Sequence, residues 1–66
     1  MTMTIKQVAQ VLATQYASRT ERRASIKENT PFLKKVHSSL NEGGQWVIPH
    51  NGWIFRKNGA GFERVQ

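Results

Sequence analysis

Ten of the 66 residues are Lys or Arg, against four Glu and no Asp, and most of the cations fall into three groups whose spacing suits a polyanion. Arg19, Arg22, Arg23 and Lys27 recur at steps of three and four. On a helix such steps share a face, and cations there neutralise phosphates by releasing their counterions. Lys34, Lys35, Ser38 and Asn41 follow on the polar side of the next segment, where a helix in a major groove presents side chains to base edges and phosphates. Arg56 and Lys57, beside Asn58-Gly59, read as the flank of a hairpin tip that can aim a cation at the minor groove. Each group also has a plainer reading: a solvated helix face for the first two, and turn chemistry for the glycine of the third. Three Arg within five residues exceed what solubility asks.

Acid–base or metal chemistry has far less to work with. His37, His50 and the four Glu are the inventory. His37 borders an apolar stripe between Leu33 and Leu40 and reads as a half-buried structural histidine, while His50 falls in a turn facing water. Zinc needs three or four ligands, and two His without Cys or Asp do not make a set. Asn58-Gly59-Ala60-Gly61 lacks the Lys and Ser/Thr of a phosphate loop. No catalytic residue, metal or cofactor is expected, and the chain is not expected to be an enzyme.

The elements that must position the cations follow from periodicity. Thr4 precedes Ile5, Val8, Ala9, Leu12 and Tyr16 at helical spacing, with Gln7 placed for a capping box, which predicts a helix over 5–17. Ser18-Arg19-Thr20-Glu21 is a second capping box and predicts a helix over 19–28, or else one continuous helix over 5–28. Asn29-Thr30-Pro31 then acts as punctuation: Pro31 suits a first helical position capped by Thr30. Phe32, Leu33, Val36, His37 and Leu40 make the stripe of a third helix over 31–42, ended by Gly43 or Gly44 in the left-handed conformation.

After the glycines the period drops to two, predicting strands over 45–48, 53–56 and 62–65. Trp46 facing Phe55, Ile48 facing Trp53, and Phe62 opposite Phe55 would gather the large apolar groups on the face that packs against the helices. These aromatics read as core, the alternative being a stacking platform for single strands. The reading is thus an α+β fold, one small domain over 1–66, three helices followed by a small antiparallel sheet of two or three strands, like a winged helix-turn-helix. No apolar run exceeds three residues, so neither a transmembrane helix nor a signal-peptide core is expected, and the expected compartment is the cytoplasm.

Thr4-Ile5-Lys6-Gln7-Val8-Ala9-Gln10-Val11-Leu12 resembles the first helix of MerR-like and excisionase-type DNA-binding domains, and Gly43-Gly44-Gln45-Trp46-Val47-Ile48-Pro49 resembles the strand and turn of their wing. The resemblance covers about a quarter of the chain. Residues 13–30 depart from it, because the short turn leading at once into a recognition helix is missing. What it implies is a helix in the major groove and a wing on the adjacent backbone.

With a net charge of +6 spread over the whole chain, the expectation is a double-stranded DNA-binding protein of the kind that phages and mobile elements use as regulators or recombination accessory factors. A domain this small offers under about 1,000 Å² to DNA, so a homodimer or cooperative assembly on DNA is expected. The rival expectation is a protein-binding module, such as an inhibitor or adaptor docking on an acidic host protein, suggested by Val11, Val47, Ile54 and Val65 lying off the core stripes. RNA is a third possible partner.

Overall fold

Thr4 starts the first helix as its spacing to Gln7 requires. Its hydroxyl accepts from the Gln7 amide at 3.1 Å, and the Gln7 side chain accepts from the Thr4 amide at 2.8 Å. Two of the donors that a helix leaves orphaned at its N-terminus are thereby satisfied. A computed structural model describes residues 2–49 and 51–66; His50 and the turn position read for it lie outside the described residues. The order is β1 (Thr2–Met3), α1 (Ile5–Ala13), α2 (Arg19–Ser39), β2 (Gln45–Val47), β3 (Ile54–Asn58) and β4 (Gly61–Arg64). The α+β class holds, but the three expected helices are two.

The segments expected over 19–28 and 31–42 are one 21-residue helix with Pro31 inside it. Ser18 caps it, accepting from the Glu21 amide, but the reciprocal bond of the expected capping box is not formed. The residues read as punctuation are instead bonded back along the helix: Thr30 Oγ1 donates to the Ile26 carbonyl at 2.6 Å, and Asn29 Nδ2 to Ser25 Oγ at 3.1 Å. The inward stripe does not change phase across the proline, since Ser25, Ile26, Asn29, Leu33, Val36 and Leu40 are all at least half-buried. Pro31 and Lys27, whose carbonyl loses its donor, are both exposed, so water can take up the freed acceptor. An interior proline costs about 3 kcal/mol, and the unbroken stripe offsets it.

Helix α1 stops at Ala13 and does not run on to residue 17. The chain leaves through Thr14 N–H to the Val11 carbonyl and Tyr16 N–H to the Ala13 carbonyl, and Tyr16, read as part of the stripe, is 37% exposed. At the other end, α2 stops at Ser39, three residues short of the expectation, and Gly43 takes φ +81° in the turn that follows.

The sheet has four antiparallel strands in the order β1-β4-β3-β2. Trp46 faces Phe55 as expected, and the Ile48 amide donates to the Trp53 carbonyl at 2.8 Å. Phe62 faces Lys57, two pairs on from the expected Phe55, which faces Arg64. Both phenylalanines stay on the inner face, fully buried with ring centroids 6.2 Å apart. Val8, Ala9, Leu33 and Ile48 complete the core beneath them. Strand β1 was not foreseen. It pairs with β4, Met3 opposite Phe62, and crosses so close to Gly61 that a Cβ there would sit 2.1 Å from the Met3 carbonyl oxygen.

Pro31→Ala tests the continuous helix. Alanine there should raise stability in urea unfolding by about 1–3 kcal/mol, since it restores an interior hydrogen bond. At the first position of a separate helix, where proline is favourable, the same change would be neutral or destabilising.

Candidate nucleic-acid interface

Fusing two expected helices into one changes which cations share a face. At 100° and 1.5 Å per residue, Arg19, Arg23, Lys27 and Lys34 fall within about 80° of arc along about 22 Å of α2. All four are exposed, and none has a hydrogen-bond or ion-pair partner among the described residues. Ser38, also exposed, continues the row by about another turn. His37 borders the same flank and, through Nε2, donates to the Gly59 carbonyl at 2.8 Å, which docks the β3–β4 tip against the C-terminal end of the helix. The row thus runs along one side of a helix about 31 Å long, in a molecule whose longest dimension is 34 Å.

The remaining candidates do not join it. Arg22 lies about 100° behind Arg23 on the half-buried side, and its Nη1 donates to the Tyr16 carbonyl at 2.9 Å and the Ala17 carbonyl at 2.7 Å. It ties the α1–α2 connection to the first turns of α2. Lys35 lies about 100° round from Lys34, on the side of Glu28. Asn41 is beyond the helix, and its carbonyl accepts from Gly44 at 2.8 Å.

Arg56 and Lys57 are inside β3, not at a hairpin tip, and they point to opposite faces. On the outer face Arg56 pairs with Glu63, its direct cross-strand neighbour. Lys57 points inward, where Nζ donates to the Leu40 carbonyl at 2.9 Å and so caps the C-terminus of α2. Arg64 likewise turns inward, its guanidinium 4.2 Å above the Trp53 ring.

The carboxylates divide in the same way. Glu42 accepts the Gly59 amide with both oxygens, at 3.0 and 3.1 Å. The hydrogen bond from Arg56, and then its charge, hold the Glu63 carboxyl below the ordinary glutamate range. A depressed folded-state pKa contributes stability above the unfolded value, and that contribution fades as the pH falls through the folded one, so this pair weakens only in acid. Glu21 and Glu28 have no partner among the described residues and lie on the far flank of α2, about 100° or more from the cationic row. Lys34 joins the flank of Arg19, Arg23 and Lys27 only once 19–39 is read as a single helix, which is why reading the two helices separately missed the full row.

On the sheet's outer face the register brings Val47, Ile54 and the end of β4 together: Val47 faces Ile54, and the Val65 amide donates to the Ile54 carbonyl. Val47 and Val65 are 52% and 41% exposed. Val11 lies elsewhere, on α1 beside Met3 and Gln7. No helix among the described residues is long and apolar enough to cross a membrane. No protein-family model, curated protein or solved structure matches the chain.

The engaged and unengaged cations should separate in denaturation. Arg22→Ala and Lys57→Ala should each lower stability by about 1–2 kcal/mol, because each strands carbonyl acceptors at a helix end or turn. Arg23→Ala and Lys27→Ala should stay within about 0.5 kcal/mol of the parent chain.

Proposed function

We propose that the chain binds double-stranded DNA through the cationic flank of α2, with Arg19, Arg23 and Lys27 on phosphates and Lys34 and Ser38 placed to reach base edges. The observation that carries this reading is the row itself: four unpartnered cations in line on one helix, with both unpartnered carboxylates on the other flank. Lys35 shares the carboxylate flank, so a polyanion meets stronger attraction on the side of Arg19, Arg23, Lys27 and Lys34, which orients it as well as binding it. The resemblance of residues 4–12 and 43–49 to DNA-binding domains supports the same reading. In this proposal the protein works in the cytoplasm as a small regulator or recombination accessory factor, with two copies or cooperative neighbours supplying the contact area that one domain lacks. Arg22, Lys57 and Arg56 belong to the scaffold, and Lys35 and Asn41 lie outside the contact.

A second reading is favoured by the Val47–Ile54–Val65 patch on the uncovered sheet face, which suits a protein-binding module docking on a host protein. A stoichiometric protein partner that survives nuclease treatment in a pulldown would support it.

Titration of a labelled duplex at low salt tests the first reading. Three phosphate contacts should give a log–log salt slope of about −2.7, and Arg23→Ala or Lys27→Ala should flatten it by about 0.9 each. Lys57→Ala should leave the slope alone. Absence of binding tighter than about micromolar at about 50 mM salt would refute the reading, and stronger competition by single-stranded RNA than by duplex would redirect it to RNA.

A further inference from the structure

We infer that the free edge of β2 is a docking site for an extended segment of a partner protein that carries an apolar side chain and, two residues along, a cationic one. The edge comes first. Lys57 N–H donates to the Gly44 carbonyl and Ile48 N–H to the Trp53 carbonyl, both at 2.8 Å. Antiparallel pairing alternates, so the N–H and C=O of Gln45 and Val47 point away from β3. Strand β2 ends the sheet order, and among the described residues no strand takes these groups up. Exposed edges are commonly guarded by a lysine, a proline or a bulge. Gln45-Trp46-Val47 has none of these, and both Gln45 and Val47 are exposed.

Beside the edge lies a cleft of about 140 Å³ walled by Leu12, Gln15, Asn29, Phe32, Trp46 and Ile48. Phe32, half-exposed, meets Trp46 edge-on at 6.0 Å, and Asn29 shares the cleft wall with Ile48. Trp46 and Ile48 on the strand and Asn29 and Phe32 on the helix are thus walls of one cleft. Asn29 also lines the adjoining polar cleft, which holds Tyr16, Glu21 and Glu28. Phe32 and Glu28 are about 6 Å apart along the helix axis, close to the spacing of alternate side chains on a strand.

A segment added to β2 would thus place one side chain between Phe32 and Trp46 and its next-but-one neighbour toward Glu28. The charge selects the occupant. Glu21 and Glu28 are carboxylates without an internal partner among the described residues, and they repel a nucleic acid while attracting a lysine or arginine. A second copy of this chain pairing through its own β2 brings Gln45-Trp46-Val47, which holds no cation to meet them. Main-chain bonds to an edge supply affinity and side-chain pockets supply specificity, the logic of strand addition. The inference does not rest on DNA binding, since it uses the opposite flank of α2.

The test is a titration of the full, isotope-labelled chain, followed by amide NMR, with two capped hexapeptides. One reads Thr-Val-Leu-Thr-Arg-Thr, and the other has Glu in place of its Arg. The expected result is saturable shifts at the Gln45 and Val47 amides and the Trp46 indole, with the Arg peptide binding about threefold tighter than the Glu peptide. Glu28→Gln should erase that preference. Val47→Pro removes an outward N–H while sparing the bonds to β3, and should abolish binding while leaving duplex affinity unchanged. Four results would overturn the inference: no shift at about 1 mM peptide, equal binding of both peptides, unchanged binding by Val47→Pro, or edge shifts that grow with protein concentration alone as a dimer forms. Should Val47→Pro not fold, the surface change Glu28→Gln carries the test by itself.

Discussion

The arrangement depends on one helix surviving a proline. Pro31 removes a hydrogen bond and crowds the carbonyl four residues back, yet α2 continues because its inward stripe keeps one phase from Ser25 to Leu40. Two short helices with a turn between them would have to bury Leu33 and Val36 at a new angle and would forfeit the shared wall against α1. The side chains just before the proline also favour continuity, since Asn29 and Thr30 bond backward along the helix. The cost falls on an exposed carbonyl that water can satisfy, whereas a break would fall on the core.

From that continuity follows a separation of charge. An α-helix offers three working flanks, and α2 uses each differently: one faces α1 and the sheet, one bears Arg19, Arg23, Lys27 and Lys34, and one bears Glu21 and Glu28. Most of the other cations are engaged internally, although Lys6 on α1 and Lys35 are exposed and have no partner among the described residues. Arg22, Lys57 and Arg64 are turned onto carbonyls or a ring, and Arg56 onto Glu63. A formal net charge of +6 thereby gains a direction, because four of the unspent cations on α2 face one way while Lys35 lies toward Glu28.

What the sequence made legible was local. The capping box at Thr4, the N-cap at Ser18, the left-handed Gly43 and the pairing of Trp46 with Phe55 depend on neighbours a few residues away or on one hairpin, and they read correctly. What it concealed was tertiary. A proline after Asn-Thr stops most isolated helices, and only the stripe's packing overrides it here. Beyond the early end of α1, Arg22 reaches back to Tyr16 and Ala17, a contact that no periodicity announces. Lys57 looks like a tip cation until alternation from Phe55 turns it inward toward the end of α2. The candidate site was half visible: the residue types were right, but their grouping needed the continuous helix. The one signal for β1 was Gly61, whose missing side chain lets another strand pass.

That strand has a consequence for how the chain acquires its shape. Thr2 and Met3 pair with Glu63 and Phe62, so the first residues described wait for some of the last. During synthesis α1 and α2 can nucleate and collapse on each other long before Phe62 leaves the ribosome, while Phe55 and Phe62 still lack their places beneath them. The bare inner face of the helix pair is then a transient sticky surface. Pairing of β1 with β4 beside Gly61 is what ties Thr2 and Met3 to the strand that carries Phe62.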